Sequence, residues 1–460
     1  MPGERDIDVG AVIENQRRGG LSAAILFWSC ALMFVEGYDN QVTNYAAPAI
    51  IKAWGIERAA FGPVFVTGLF GYMLGALGLS DLADRFGRKT IILAGFWLFG
   101  LLTLGAAFAE TREQLIALRF LAGIGLGGSI PSAIALSAEY TPASQRATRI
   151  GLMFVGYTVG AALGGALVAP LMREFGWPIA FAIGGLLPLA LSPALMAALP
   201  ESARFLALKP GRDARLAAIL TRLKPDLAIP RGARFVLNET PRAALPVAQL
   251  FREGRALVTA LLWFAFVTSF LGHHFLTSWL PTVLAGDGLP IEHAVYASSL
   301  FQAGGALGSV AIGRLVDRRG IVAIAIAFGL AAPVVALIGV PGLPEAALMG
   351  VVTLAGLFVL GGQVGLNALS GTVYPTAIRS TGAGWAFGVG RVGSVLGPLI
   401  GTVLIGFGLP TWLLLICAAL PLAGCAGAAA GLRTRVTPPE RSASDRYPEP
   451  GSRPAGAGPA

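Results

Sequence analysis

Charge is what this sequence has least of. Of 460 residues, 34 are Lys or Arg and 25 are Asp or Glu, so charged residues make up 13% of the chain. A soluble protein of this length carries about twice that share, which excludes a chain wrapped in a water-facing shell. Cysteine is scarce as well. Cys30, Cys417 and Cys425 all fall in apolar stretches and none has metal-ligand spacing, so neither a metal centre nor a disulfide is expected. A nucleophile–base pair and a phosphate-binding loop are also missing, which argues against an enzyme and against a cofactor. The polar pieces are a link and a tail, too little for the signalling domain of a membrane sensor.

What the chain does have is apolar length. Apolar residues make up 55% of it, and mean hydropathy is +0.70. Runs of about 20 apolar residues span a bilayer, and twelve can be counted, from residues 21–51 to residues 409–432. The first is too long for a signal-peptide core and has no small-residue cleavage site behind it, so it is retained as a helix. Six spans occupy residues 21–199 and six occupy 256–432. Residues 1–20 form a polar N-terminal segment expected to be mobile. Residues 200–255 form a polar link, and residues 433–460 a Pro-, Ser- and Arg-rich tail expected to be disordered. The 62 glycines would weaken helices in water. In lipid, Gly71-x-x-x-Gly75, Gly160-x-x-x-Gly164 and Gly393-x-x-x-Gly397 read as places where helix backbones approach closely.

One offset, 233 residues, relates the two halves. Asp84-Arg85 and Gly87 recur as Asp317-Arg318 and Gly320, and Pro48 recurs as Pro281. Gly71 and Gly75 recur as Gly304 and Gly308. Pro142 and Arg146 recur as Pro375 and Arg379, and Gly151, Phe154, Gly160 and Gly164 as Gly384, Phe387, Gly393 and Gly397. The chain is a duplicated unit, and in an apolar chain that is how many secondary transporters are built, as similar halves around a central site.

The net charge of +9 does not call for nucleic acid. The excess sits in alternate loops: Arg85, Arg88 and Lys89, then Arg146 and Arg149, then Arg314, Arg318 and Arg319, then Arg379. The opposite loops hold only Lys52, Arg58, Arg112 and Arg173. The positive-inside rule accounts for this and places both termini in the cytoplasm of a multi-pass cell (inner) membrane protein.

Ser80-x-x-x-Asp84-Arg85-x-Gly87-Arg88-Lys89, between spans two and three, resembles the signature loop of the major facilitator superfamily. Its degenerate copy is Gly313-x-x-x-Asp317-Arg318-x-Gly320. Ser80 stands where that family usually has Gly. Pro200-Glu201-Ser202-x-Arg204-Phe205-Leu206 resembles a further signature of the superfamily after span six. With Glu139-x-x-Pro142-x-x-x-Arg146 and Arg379, these read as gating elements of the cytoplasmic face, a latch between Asp84 and Arg88 among them. The resemblance implies the all-α fold of twelve transmembrane helices in two pseudo-symmetric bundles.

Charges inside the spans carry the functional reading. Glu36 and Asp39, at i and i+3, share one face of span one, and either could carry a proton. Arg119 in span four is their natural counterion, in a sequence resembling the superfamily's intramembrane arginine motif. Arg391 lies about 15 Å along span eleven from Thr381, with no acid beside it in its own helix, so a substrate carboxylate is the expected partner. None of the four is repeated: their mates are Ser269, Gly272, Val352 and Thr158. Glu36-Gly37-Tyr38-Asp39, Trp279-Leu280-Pro281, Asn367-Ala368, the block from Tyr374 to Gly382, and Gly390-Arg391-Val392-Gly393 resemble the aromatic acid/proton symporter family. Its usual first acid is Asp where this chain has Glu36. The resemblance implies import of benzoate-like or hydroxyphenyl acids with protons, with functional roles for Glu36, Asp39 and Arg391. Tyr157, His273, His274, Trp279, Gln363, Asn367 and Trp385 are further candidates for contact with the ligand, His274 also as a second proton site. Transport of another organic anion, or efflux, is the alternative. The expected partners are a small organic anion, a proton and the lipid bilayer, with the protein a monomer.

Overall fold

The structure is a computed structural model that describes residues 6–16, 20–142, 145–227, 229–230, 233–237, 247–374 and 379–434. Among the described residues, twelve helices are long and apolar enough to cross a membrane. The first bundle is α2 (Gly20–Trp54), α3 (Gly62–Phe86), α4 (Arg88–Ala106), α5 (Arg112–Glu139), α6 (Arg146–Phe175) and α7 (Pro178–Ala198). The second is α10 (Ala256–Gly286), α11 (Ile291–Arg319), α12 (Ile321–Ile338), α13 (Glu345–Val373), α14 (Arg379–Gly406) and α15 (Thr411–Arg433). The chain is an all-α membrane protein of two six-helix bundles. Helices dominate because lipid offers no partner to backbone N–H and C=O groups.

Local signals set the helix ends. Gly87, with φ +98°, separates α3 from α4, and Gly320, with φ +56°, separates α11 from α12; both take a conformation that a side chain resists. Thr111 caps α5 by accepting from the Gln114 N–H at 3.3 Å, while the Gln114 amide oxygen accepts from the Glu110 N–H at 2.8 Å. This is a close relative of the capping box.

The repeat governs packing as well as sequence. α3 packs on α5, α2 on α6 and α4 on α7, and each pair recurs as α11 on α13, α10 on α14 and α12 on α15. The glycine contacts repeat at the same offset. A Cβ on Gly75 would run into the Ile124 carbonyl, and one on Gly308 into the Leu357 carbonyl. Residues 124 and 357 are again 233 apart. Gly160 lies against the Phe34 carbonyl, and Gly393 against that of Val267. Small residues here let backbones touch.

Two hydrophobic clusters belong to one bundle each. A third mixes both, joining Tyr45, Phe61 and Phe181 to Trp279, Val283 and Val295. Phe65 meets Trp279 edge to face at 5.0 Å. Arg58 donates to the Gly286 carbonyl at 3.2 Å, and Arg173 pairs with Glu292 at 3.2 Å. These groups lie at the ends of their helices away from the termini, so the bundles are sealed together on that face.

The termini face carries a small cap. β1 (Asp6–Asp8) pairs in parallel with β2 (Arg234–Val236) of the link, with Ile7 opposite Phe235. Between them run α1 (Val9–Glu14) and, in the link, α8 (Ala203–Ala207) and α9 (Asp213–Leu223). Val9, Val12 and Ile13 pack with Leu216, Leu220 and Phe235 in the core of the first bundle. The N-terminal segment, expected to be mobile, is therefore ordered over residues 6–16, because its apolar residues find a partner in the link, far away in sequence. The tail beyond Thr434 lies outside the described residues.

Gly75→Leu and Gly308→Leu should each destabilise the protein, by about 1–3 kcal/mol as for other overpacked sites. Gly350→Ala, where a Cβ meets nothing within 4 Å, should not. Melting of the three purified variants checks this. Unchanged melting of both leucine variants would show that the repeated contacts are not close packed.

Candidate functional site

Helix α2 brings two acids into the interior. Glu36 is 6% exposed and Asp39 3%. Arg119, from α5, meets Asp39 with both arms, Nη1 to Oδ1 at 2.7 Å and Nη2 to Oδ2 at 2.9 Å. Its Nη1 also reaches the Thr103 hydroxyl of α4 at 3.5 Å. A two-pronged guanidinium–carboxylate pair is the strong form of this contact, and removing one member leaves an uncompensated buried charge. Asp39 and Arg119 also line a cavity of about 50 Å³ with Tyr72 of α3 and with His274 and Ser278 of α10. The cavity thus lies where the two bundles face each other.

Arg391 enters from α14 and meets rings. Its guanidinium lies 4.9 Å from the Phe387 ring centre, 5.5 Å from that of Tyr72 and 5.9 Å from that of Phe270. Cations over aromatic faces are held by the ring quadrupole, but no ring neutralises a charge. Glu36 is the acid that Arg391 acts on electrostatically, with the Tyr72 phenol beside its carboxyl. No carboxylate of the described residues stands within ion-pair distance of Arg391. Oε2 of Glu36 is buried without a hydrogen-bond partner. Arg391 and Glu36 therefore face each other across the bundles without closing a salt bridge. Tyr157 of α6 lies in the field of Glu36, Arg391 and Asp39. His274 stacks on Phe270 at 6.0 Å and touches His273 at 4.8 Å between ring centres.

The remaining ligand candidates divide. Gln363 of α13 is buried and its amide oxygen accepts from the Ser269 hydroxyl of α10. Asn367 is exposed one turn nearer the termini face, and Trp385 is 45% exposed and stacked on Trp263. Trp279 is fully buried, with its indole N–H donating to the Pro398 carbonyl at 3.0 Å. It packs in the seam away from the termini, so in this conformation it has no free group for a ligand. The rings around Arg391 are additions: Tyr72, Phe270 and Phe387 look in sequence like ordinary apolar filling. Phe387 carried one signal, its recurrence as the mate of Phe154.

Three of the gating candidates, Arg88, Lys89 and Glu139, form a network in the first bundle with Glu201 and Ser202 of the link. Arg88 pairs with Glu139, and the Ser202 hydroxyl donates to Glu139 Oε2 at 2.6 Å. Glu201 accepts from the backbone N–H of Lys89 at 3.1 Å, at the start of α4, where a carboxylate suits the helix dipole. Lys89 Nζ donates to the Met196 carbonyl at 2.6 Å. Arg88 therefore finds its acid at the end of α5. The side chains of Asp84, Arg146, Asp317 and Arg379 lie outside the described residues, and with them the expected partnership of Asp84 and Arg88. Arg85 and Arg318 are exposed.

Comparison with known proteins gives a consistent picture. A family model described as Major Facilitator Superfamily matches residues 29–352 and 298–457. The chain is 39% identical to the gallate transporter of Pseudomonas putida, over 91% of this chain and 94% of that one. It is 37% identical to the 4-hydroxybenzoate transporter PcaK of Pseudomonas aeruginosa, over 89% and 92%. Its backbone is similar to a bacterial homolog of the human lysosomal transporter Spinster in an inward-facing, occupied conformation. That match has a TM-score of 0.67 at 16% identity, over 90% of this chain and 97% of the other.

Arg119→Gln should strand Asp39 and cost about 3–5 kcal/mol of stability, the usual penalty for breaking a buried pair. Combining it with Asp39→Asn should restore much of that loss. Denaturation of the two singles and the double gives the coupling between the residues. Additive effects would show that the two do not act as a pair.

Proposed function

Because this chain belongs to the Major Facilitator Superfamily, we propose that it imports small aromatic carboxylates, benzoate-like or hydroxyphenyl acids, together with protons by alternating access. The observation that carries the reading is Arg391: a guanidinium between three aromatic rings, with no carboxylate of the described residues in ion-pair reach. An aromatic acid supplies both missing parts, an anion for the guanidinium and a ring for the rings. The names of the relatives, a gallate transporter and a 4-hydroxybenzoate transporter, support the same substrate class.

In this reading the substrate carboxylate docks on Arg391 with its ring among Tyr72, Phe270 and Phe387. Asp39 is the proton carrier. Ionised, it is locked to Arg119; protonated, it gives up the charge that holds the pair. Protonation thus loosens a contact between α2 and α5 beside the substrate, which ties the proton to the movement of the bundles. Glu36, across from Arg391, adds a second acid whose charge opposes that of the substrate, so its protonation also favours loading. The seam around Phe65 and Trp279 parts to admit substrate from outside, and in the present conformation it is closed. The basic loops on the termini face support a reading with both termini in the cytoplasm and the protein in the cell inner membrane, working as a monomer.

Asp39→Asn should abolish uphill uptake driven by a pH gradient while substrate exchange persists. Accumulation by the variant in proteoliposomes would remove Asp39 from the coupling role. Arg391→Lys should weaken binding roughly ten- to a hundredfold, because an ammonium cannot copy the two-pronged contact and a hydrogen bond to a charged group contributes about 1.5–3 kcal/mol. Calorimetric titration with the acid and its amide separates roles. The acid should lose most of its affinity in the variant and the amide little. Equal losses would make Arg391 a structural residue.

A further inference from the structure

We propose that Gln363, Ser269 and His273 form a subsite for a ring hydroxyl, so that hydroxylated aromatic acids are preferred over unsubstituted ones. This rests on the reading of Arg391 as the carboxylate anchor. Two orphaned polar atoms carry it. Ser269 Oγ donates to the Gln363 amide oxygen, which leaves Gln363 Nε2 buried with no hydrogen-bond partner. His273 Nδ1 is also buried and unpartnered. His273 follows Ser269 by four residues, so both lie on one side of α10. Buried polar groups are paired in the large majority of cases, and each exception calls for an explanation. Two such exceptions, one on the partner of Ser269 and one a helical turn along from it, describe a place waiting for a group that can satisfy both.

The chemistry of that group follows from the atoms. The amide N–H can only donate. An Nδ1 without a proton can only accept. A phenol hydroxyl does both at once, taking the amide proton on its oxygen and giving its own proton to the imidazole. A second carboxylate fits poorly, because it has no proton to give to the imidazole. A methyl group or a bare ring edge leaves both atoms stranded.

Position follows from the repeat and from the anchor. Ser269 is the mate of Glu36 under the 233-residue offset, and Glu36 faces Arg391. Positions related by the pseudo-symmetry present corresponding faces to the axis between the bundles, so Ser269 faces that same space from the other side. Phe270, next to Ser269, lies 5.9 Å from the Arg391 guanidinium, and Arg391 acts electrostatically on His273. Anchor, ring contact and hydroxyl wall therefore adjoin. A site built to hydrogen-bond a substrate hydroxyl discriminates sharply against the analogue lacking it, because its own buried groups are then unpaired.

The test is calorimetric titration of the full-length protein with 4-hydroxybenzoate, 3-hydroxybenzoate, benzoate and 4-methylbenzoate. At least one hydroxy acid should bind about tenfold more tightly, or better, than both benzoate and the methyl analogue. In Gln363→Met that ratio should collapse toward one. The wild-type series needs no mutation, so it stands even if the variant does not fold. Equal binding of all four acids by the wild type overturns the subsite and leaves the carboxylate anchor intact, as does a wild-type ratio preserved in Gln363→Met. Absence of binding by every acid overturns the anchor and the subsite together.

Discussion

A charge surrounded by hydrocarbon needs a partner, and the interior of this protein is organised by that need. Three such charges decide its chemistry. Asp39 and Arg119 satisfy each other with two short contacts. Among the described residues, Arg391 has the faces of three rings and the field of Glu36. The first pair is closed and holds α2 against α5. The second arrangement is open, and in the proposed function an anion from outside completes it.

The scaffold that positions these groups is symmetric, and the groups are not. Gly75 and Gly308, or Gly160 and Gly393, make equivalent backbone contacts in the two halves, so the helices stand in equivalent places. Asp39 and Arg119 have Gly272 and Val352 as mates, and Arg391 has Thr158. A duplicated frame thus offers paired positions around one axis. In the first bundle they hold two acids and an arginine. In the second they hold the other arginine, two imidazoles and an amide. In the proposed function, a proton site and a substrate site can then adjoin without being copies of each other.

Among the described residues, the two ends of the molecule are held by different contacts. The seam of Phe65, Trp279, Arg58 and Arg173 lies away from the termini. On the termini face, Glu139 and Glu201 tie Arg88, Lys89 and Ser202 to one another, and the β1–β2 pair ties the N-terminal segment to the link. All of those partners belong to the first bundle or to polypeptide docked on it. Among the described residues, the first bundle, its loop and part of the link are thus tied together on this face.

The sequence alone determined the twelve spans, the repeat, and the four charges placed inside lipid. Those follow from properties that need no partner: hydropathy fixes whether a segment crosses a bilayer, one constant offset fixes the duplication, and a charge within an apolar run is conspicuous by its cost. Arg119 as the counterion of a span-one acid was legible too, since few other cations lie at that depth. Tertiary structure decided which acid Arg119 takes, that Phe387, Tyr72 and Phe270 surround Arg391, and that Trp279 is spent on the seam. It also decided that a polar N-terminal stretch becomes a strand. The physical reason is common to all of these. An aromatic residue in an apolar helix looks the same in sequence whether it faces lipid, a neighbouring helix or a cavity. Only the rotation of each helix, set by glycine contacts dozens of residues away, chooses among them.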